Sequence, residues 1–228
     1  MQKNWLIFDL GGVIADETEF DLDSFDHAIT FCAANGVTVS RTDAWNARET
    51  CPEGTKFKRT TYALQSVGVS SELATIAASH LYNSSPSHYY KRIRIQPQMA
   101  EALRLLQKSI PLCIAGNQHP AVTEWMHTSS IASLVSRMCF DFDLKVKKPS
   151  PEFFLKAADF LSVLPSQCIY VGDRVDNDMV PATEVGMNAI RFKGDGEYAR
   201  QTLASFGMEG IPEVTDTAAL VAAVLAQV

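Results

Sequence analysis

From about residue 95 onward, short apolar runs alternate with amphipathic stretches, and this alternation restricts the fold more than any single motif. Apolar runs bounded by turn signals read as strands buried on both faces, and the helical stretches between them are the crossovers that a parallel sheet needs. Strands are expected at NWLIFDL, PLCIAG, RMCFDF, QCIYVG and NAIRF. Helices are expected at QPQMAEALRLLQKS, with Ala100, Leu103 and Leu106 at core spacing, and at PAVTEWMHTSSIASL, PEFFLKAADFLSVL and DMVPATEVGM. A last helix is expected in TDTAALVAAVLAQV, with Thr215 or Asp216 as its N-cap.

Between roughly Glu17 and Tyr90 the alternation stops. LDSFDHAITFCAANG, RTDAWNARE, FKRTTYALQSVG and SSELATIAASHLY carry helical periodicity without a convincing strand, and Gly36, Pro52, Gly54 and Gly68 punctuate them. The reading is an α/β core made of residues 1–16 and 91–228, with four helices inserted at 17–90 as a small bundle over the strand ends. Hinges are expected near Asp16 to Glu19 and Ser84 to Pro86, where both crossings are short and polar.

Bulk properties exclude several classes of function. A chain of 228 residues holds one domain with a large insertion or two modest ones. Its net charge is -6 with acids and bases interspersed, which leaves no basic footprint for nucleic acid. An anionic substrate must then be met by locally placed cations or a metal. No apolar segment approaches bilayer length, so no membrane association is expected. The amino terminus enters a strand-like run without a cleavage site, which makes the cytoplasm the expected compartment. The five cysteines sit singly, and Cys113, Cys139 and Cys168 lie in apolar runs, so neither a disulfide framework nor a zinc spacing follows.

Ligands of open parallel sheets bind beyond the carboxyl ends of the strands. Four such ends carry a polar residue: Asp9 closes the first strand, Asn117 follows the second, Lys148 the third, and Asp173 closes the fourth. Each has an ordinary alternative. Asp9 is a nucleophile or a turn former, Asp173, Asp176 and Asp178 hold a cation or cap the next helix, Lys148 is a solvated lysine, and Asn117 a loop amide.

An apolar run ending in Asp9 and GGVIAD, Gly116-Asn117 after a strand, Lys148-Pro149 in KKPSPEFF, and GDRVDND with Asp173 and Asp178 together resemble the haloacid dehalogenase superfamily. The resemblance covers the whole chain, and the inserted helices resemble that family's first type of cap. It implies a Rossmann-like doubly wound core with a helical cap, and a Mg²⁺-dependent phosphatase acting on a small phosphorylated metabolite, as monomer or homodimer. By the same resemblance Asp9 attacks phosphorus to form an aspartyl-phosphate, and Lys148 neutralises nucleophile and phosphoryl oxygens. Gly116, Asn117 and Lys148 would bind the phosphate. Asp9, the carbonyl of Gly11, Asp173 and Asp178 would hold Mg²⁺, a hard ion that prefers oxygen.

The chain departs from the family pattern twice. Gly11 stands where phosphatase members usually carry a second Asp, the general acid and base, a loss that can cost roughly 10² to 10⁴ in rate. Gly116 stands where Ser or Thr is usual. Three readings follow. The first is a phosphatase whose leaving group needs little protonation, or which borrows an acid, with His119 nearest in sequence. The second is carbon–phosphorus cleavage resembling phosphonoacetaldehyde hydrolase, with Lys56 or Lys58 as Schiff-base lysine. The third is a non-catalytic phosphate-binding or interaction protein. Release of halide fits poorly, because that chemistry has no use for the Asp173 to Asp178 cluster.

Overall fold

The computed structural model describes residues 5–51, 55–194 and 201–228; the breaks read at Pro52 and Gly54 lie outside them. In chain order the elements are β1 (Trp5–Phe8), β2 (Ala15–Asp16), α1 (Thr18–Ala34), α2 (Arg41–Glu49), α3 (Lys56–Ser66), α4 (Ser71–Ser84), α5 (Pro86–Arg92) and β3 (Arg94–Ile95). They continue as α6 (Met99–Leu106), β4 (Leu112–Gly116), α7 (Val122–Thr128), β5 (Arg137–Phe140), α8 (Asp141–Leu144) and α9 (Pro151–Phe160). The last are β6 (Cys168–Gly172), α10 (Val180–Glu184), β7 (Asn188–Phe192), β8 (Glu213–Val214) and α11 (Thr217–Leu225). Among the described residues no helix is long and apolar enough to cross a membrane.

The chain divides into two compact units, Met1–Asp16 with Arg94–Val228, and Glu17–Ile93. The first is built on a six-stranded sheet of order β5-β4-β1-β6-β7-β8, parallel throughout. From β1 the chain builds outward through β4 and β5, then crosses back to add β6, β7 and β8 on the other side. The central strands are fully buried because they are apolar on both faces: Ile7, Cys113, Ala115 and Tyr170 face Phe153, Phe154 and Ala157 of α9. Burying each such large side chain is worth about 1.5–3 kcal/mol, which is why these runs pair as strands.

Asp216 rather than Thr215 caps α11, accepting from the Ala219 N–H at 2.8 Å. The helix expected over PAVTEWMHTSSIASL stops at Thr128 and resumes only as a short 3₁₀ turn at Ala132–Leu134. The hydroxyls of Thr128 and Ser129 bond back to the carbonyls of Glu124 and Met126, competing with helix continuation. Two short pairings escaped the pattern: β8 at the sheet edge, and the antiparallel ribbon β2–β3, where Asp16 pairs with Arg94.

Among the described residues the second unit contains five helices where four were expected. Its cores join Ala28, Cys32, Leu64 and Ala77, and Phe25, Ala44 and Ala63. The extra helix, α5, begins at Pro86, within the stretch Ser84 to Pro86 expected as a hinge; proline is at home at the first helical position, where its missing N–H costs nothing. The two ends of the unit are tied together. Arg92 pairs with Glu19 at 2.6 Å and Asp23 at 2.7 Å, His88 meets Asp23 at 2.9 Å, and the Tyr89 hydroxyl donates to Glu17.

Candidate active site

β1, β4 and β6 are neighbours, so their carboxyl ends place Asp9, Gly116-Asn117 and Asp173 along one edge. The Asp9 N–H donates to the Val171 carbonyl at 2.8 Å, continuing the β1–β6 register, and its Oδ1 accepts from the Leu10 N–H at 2.8 Å. The next turn needs glycine at Gly12, not at Gly11. Gly12 has φ +71°, and a Cβ there would lie 2.5 Å from Asp173 Oδ2, whereas Gly11 is not among the positive-φ residues.

Lys148 comes from the loop after α8, and its ammonium lies 2.8 Å from Asp9 Oδ2, 2.6 Å from Asp178 Oδ1 and 3.1 Å from the Tyr170 hydroxyl. Asn117 holds that loop: its amide donates to the Lys148 carbonyl at 3.0 Å and accepts from the Lys148 N–H at 2.9 Å. The Asn117 side chain therefore positions the lysine. Asp178 is completely buried, and its Oδ2 accepts from the Arg174 N–H at 3.1 Å. It fits only because residue 172 is glycine, where a Cβ would lie 2.5 Å from that of Asp178. The chain reaches Asp178 through a single π turn, Val175–Met179, which takes up the first residues of the helix expected from DMVPATEVGM; that helix is α10, Val180–Glu184.

Burial raises the Asp9 carboxyl to about 6 against the opposing pull of Lys148, and Asp178 adds to the rise. For Lys148 burial disfavours the charge, but Asp178 and Asp9 together outweigh it and raise its pKa. Burial and the charge of Asp178 hold the Tyr170 phenol well above its usual value, so it stays protonated. Asp176 stands slightly apart. Burial alone would raise it, but hydrogen bonds from Arg174 and Gln201 keep it below the ordinary carboxylate range.

One oxygen each of Asp9, Asp173 and Asp178 lies within 4.8 Å of the others. Three carboxylates around a single ammonium leave an excess of negative charge, and the donor set is hard oxygen throughout. Such a cradle suits a divalent cation like Mg²⁺. A buried carboxylate, a fixed ammonium and a cluster of oxygen donors suited to a cation are the kind of components that can stabilise charge moving onto phosphoryl oxygens.

Of the other candidates, His119 accepts from the Ala121 N–H at 3.2 Å in a local turn. Lys56 pairs with Glu17 at 2.8 Å within the helical unit, and Lys58 is exposed. Sequence reasoning missed Tyr170, Gly172 and Gln201. The only signal for Tyr170 was a polar tip inside an otherwise apolar strand, QCIYVG.

Residues 6–192 match the family model described as haloacid dehalogenase-like hydrolase. Glyceraldehyde 3-phosphate phosphatase of Methanopyrus kandleri is 41% identical over 56 residues, covering 25% of this chain and 24% of that protein. Its Pyrococcus furiosus namesake is 44% identical over 66 residues, covering 29% and 27%. The chain thus matches these curated relatives over about a quarter of their length. A crystal structure of a HAD family hydrolase from Deinococcus radiodurans R1, with bound phosphate and sodium, is similar at a TM-score of 0.69 and 18% identity over 97% of this chain and 95% of that one.

Proposed function

Because the chain belongs to the haloacid dehalogenase-like hydrolases, we propose that it is a Mg²⁺-dependent phosphatase acting on a small phosphorylated metabolite through an aspartyl-phosphate at Asp9. The observation that carries this reading is the buried ammonium of Lys148, shared between Asp9 and Asp178 beside Asp173. The Asp9 carboxylate attacks phosphorus in line, a P–O bond forms as the bond to the leaving oxygen breaks, and water then hydrolyses the acyl phosphate. Lys148 orients Asp9 and offsets charge on the phosphoryl oxygens, while the main chain at Gly116 and Asn117 donates to them. Asp9, Asp173 and the Gly11 carbonyl, with Asp178 directly or through water, would hold a divalent cation, which would further neutralise that charge.

Gly11 provides no proton to the leaving oxygen, so substrates that depart readily as anions, acyl phosphates among them, suit the site best. Substrate selection is assigned to the helical unit Glu17–Ile93, as the resemblance implies. The relatives' names point to a three-carbon sugar phosphate as one candidate. The test is a panel of phosphomonoesters, acyl phosphates and phosphonoacetaldehyde assayed with Mg²⁺, with Asp9→Asn as control. Turnover that disappears in Asp9→Asn supports the reading. Preference for phosphonoacetaldehyde would replace it with carbon–phosphorus cleavage, and a folded protein that turns over nothing would replace it with a binding role.

A further inference from the structure

Among the described residues Arg191 heads the large, fully buried side chains, and no step proposed above uses it. It lies on β7 in register with Gly172 on one side and Glu213 on the other, next to the strand end that carries Asp173. Its Nε donates to the Asp173 carbonyl at 3.2 Å, and its Nη1 donates to the Gln201 carbonyl and to Glu213 Oε2, both at 2.7 Å. Gln201 in turn grips the same loop with its side chain, accepting from the Val175 N–H at 2.8 Å and donating to Asp176 Oδ1 at 3.0 Å. The loop from Asp173 to Asp178 is therefore held from behind at Asp173, Val175 and Asp176.

Replacing Arg191 alone by an apolar side chain of similar length would take this donor away from the Asp173 and Gln201 carbonyls and from Glu213, and removing one partner of a buried pair is destabilising. What arginine adds is direction: a rigid fork of donors aimed at the Asp173 carbonyl and at the segment that pins the rest of the loop. We propose that Arg191 and Gln201 form a clamp that positions Asp173 and thereby sets the affinity of the acidic cradle for a divalent cation. Arg191 acts through the Asp173 carbonyl and Gln201 through Val175, Asp176 and Arg191 itself, so both are positioning residues. This deepens the phosphatase reading and rests on its cation site.

The test titrates Mg²⁺ calorimetrically into metal-free parent, Arg191→Lys, Arg191→Met and Gln201→Ala, with thermal melts on the same samples. Groups that orient metal ligands typically change affinity by 10- to 100-fold when removed. A weakening of about that size is expected in Arg191→Met, with smaller losses in Arg191→Lys, which keeps the charge but not the fork, and in Gln201→Ala. Should Arg191→Met fail to fold, the two milder variants decide. Folded variants that bind Mg²⁺ within twofold of the parent overturn the clamp, as does a parent that binds none. The readout is binding, so an inactive parent that shows the affinity drop supports the clamp while sinking the phosphatase reading.

Discussion

Restoring a side chain at Gly116 should damage the protein, even though relatives usually carry Ser or Thr there. A Cβ built at Gly116 would lie 2.6 Å from Asp9 Oδ1, and ordinary contact begins at 3.4 Å, so the carboxylate must retreat by about 0.8 Å. The backbone of β4 cannot yield, because it is hydrogen-bonded to β1 on one side and β5 on the other. Asp9 gives instead, weakening its bonds to the Leu10 N–H and to Lys148. A nucleophile displaced by about 1 Å loses roughly 10²-fold in rate, equivalent to about 2.7 kcal/mol of transition-state stabilisation. Gly116→Ala should thus lower kcat by about two orders of magnitude at saturating Mg²⁺, and Gly116→Ser should do no better despite its hydroxyl. The assay is steady-state kinetics on the best substrate of the panel, with a melting curve showing that each variant is folded. Turnover within threefold of the parent in a folded Gly116→Ala would mean that Asp9 does not work from the position the structure gives it.

Gly11→Asp should raise kcat/KM for alkyl phosphates more than for aryl phosphates, since Gly11 lacks the positive φ that would bar a side chain, and a uniform loss would refute a missing acid. In calorimetry Asp173→Asn should weaken Mg²⁺ binding more than Asp176→Asn, because Asp176 is already engaged by Arg174 and Gln201; equal, negligible effects would remove the cation site. Lys148→Met should destabilise the metal-free protein by about 3–5 kcal/mol near pH 7, as two buried carboxylates lose their cation. That deficit should shrink as pH falls toward 5 and Asp9, whose carboxyl burial raises to about 6, takes up a proton, so a pH-independent deficit in denaturant titrations would contradict the account.

Much of the core was legible because its strands are apolar on both faces, which leaves a polar residue at a strand end conspicuous. Asp9, Asn117 and Asp173 stood out for that reason and fall along the same edge of the sheet, whereas Lys148, expected after the third strand, arrives from the loop beyond α8. What each does there was less legible, because it depends on partners distant in sequence. Asn117 reads as a loop amide until the Lys148 backbone, 31 residues on, arrives against it. Tyr170 and Arg191 were absorbed into the strand runs that contain them, since a hydropathy pattern records a buried ring or aliphatic stem and not where its polar tip lands. The helix α5 was lost to Pro86, a residue whose local meaning depends on which side of it the helix lies.

The β2–β3 ribbon, the hydrogen bonds of Tyr89 to Glu17 and of His88 with Asp23, and the ion pairs of Arg92 with Glu19 and Asp23 mean that the helical unit begins and ends at one place. This bears on how the sheet is assembled. Pairing Leu6 with Leu112 requires the chain to close a loop that is mostly helical unit. Each halving of a loop lowers its closure cost by about 0.6 kcal/mol. A helical unit already folded, with its ends stapled, would remove roughly three quarters of that loop, close to two halvings and about 1.1 kcal/mol. Folding order then becomes a design variable: loosening the staple at Arg92 or Tyr89 should slow the formation of the β1–β4 pair, a cost borne in kinetics by residues that belong to neither strand.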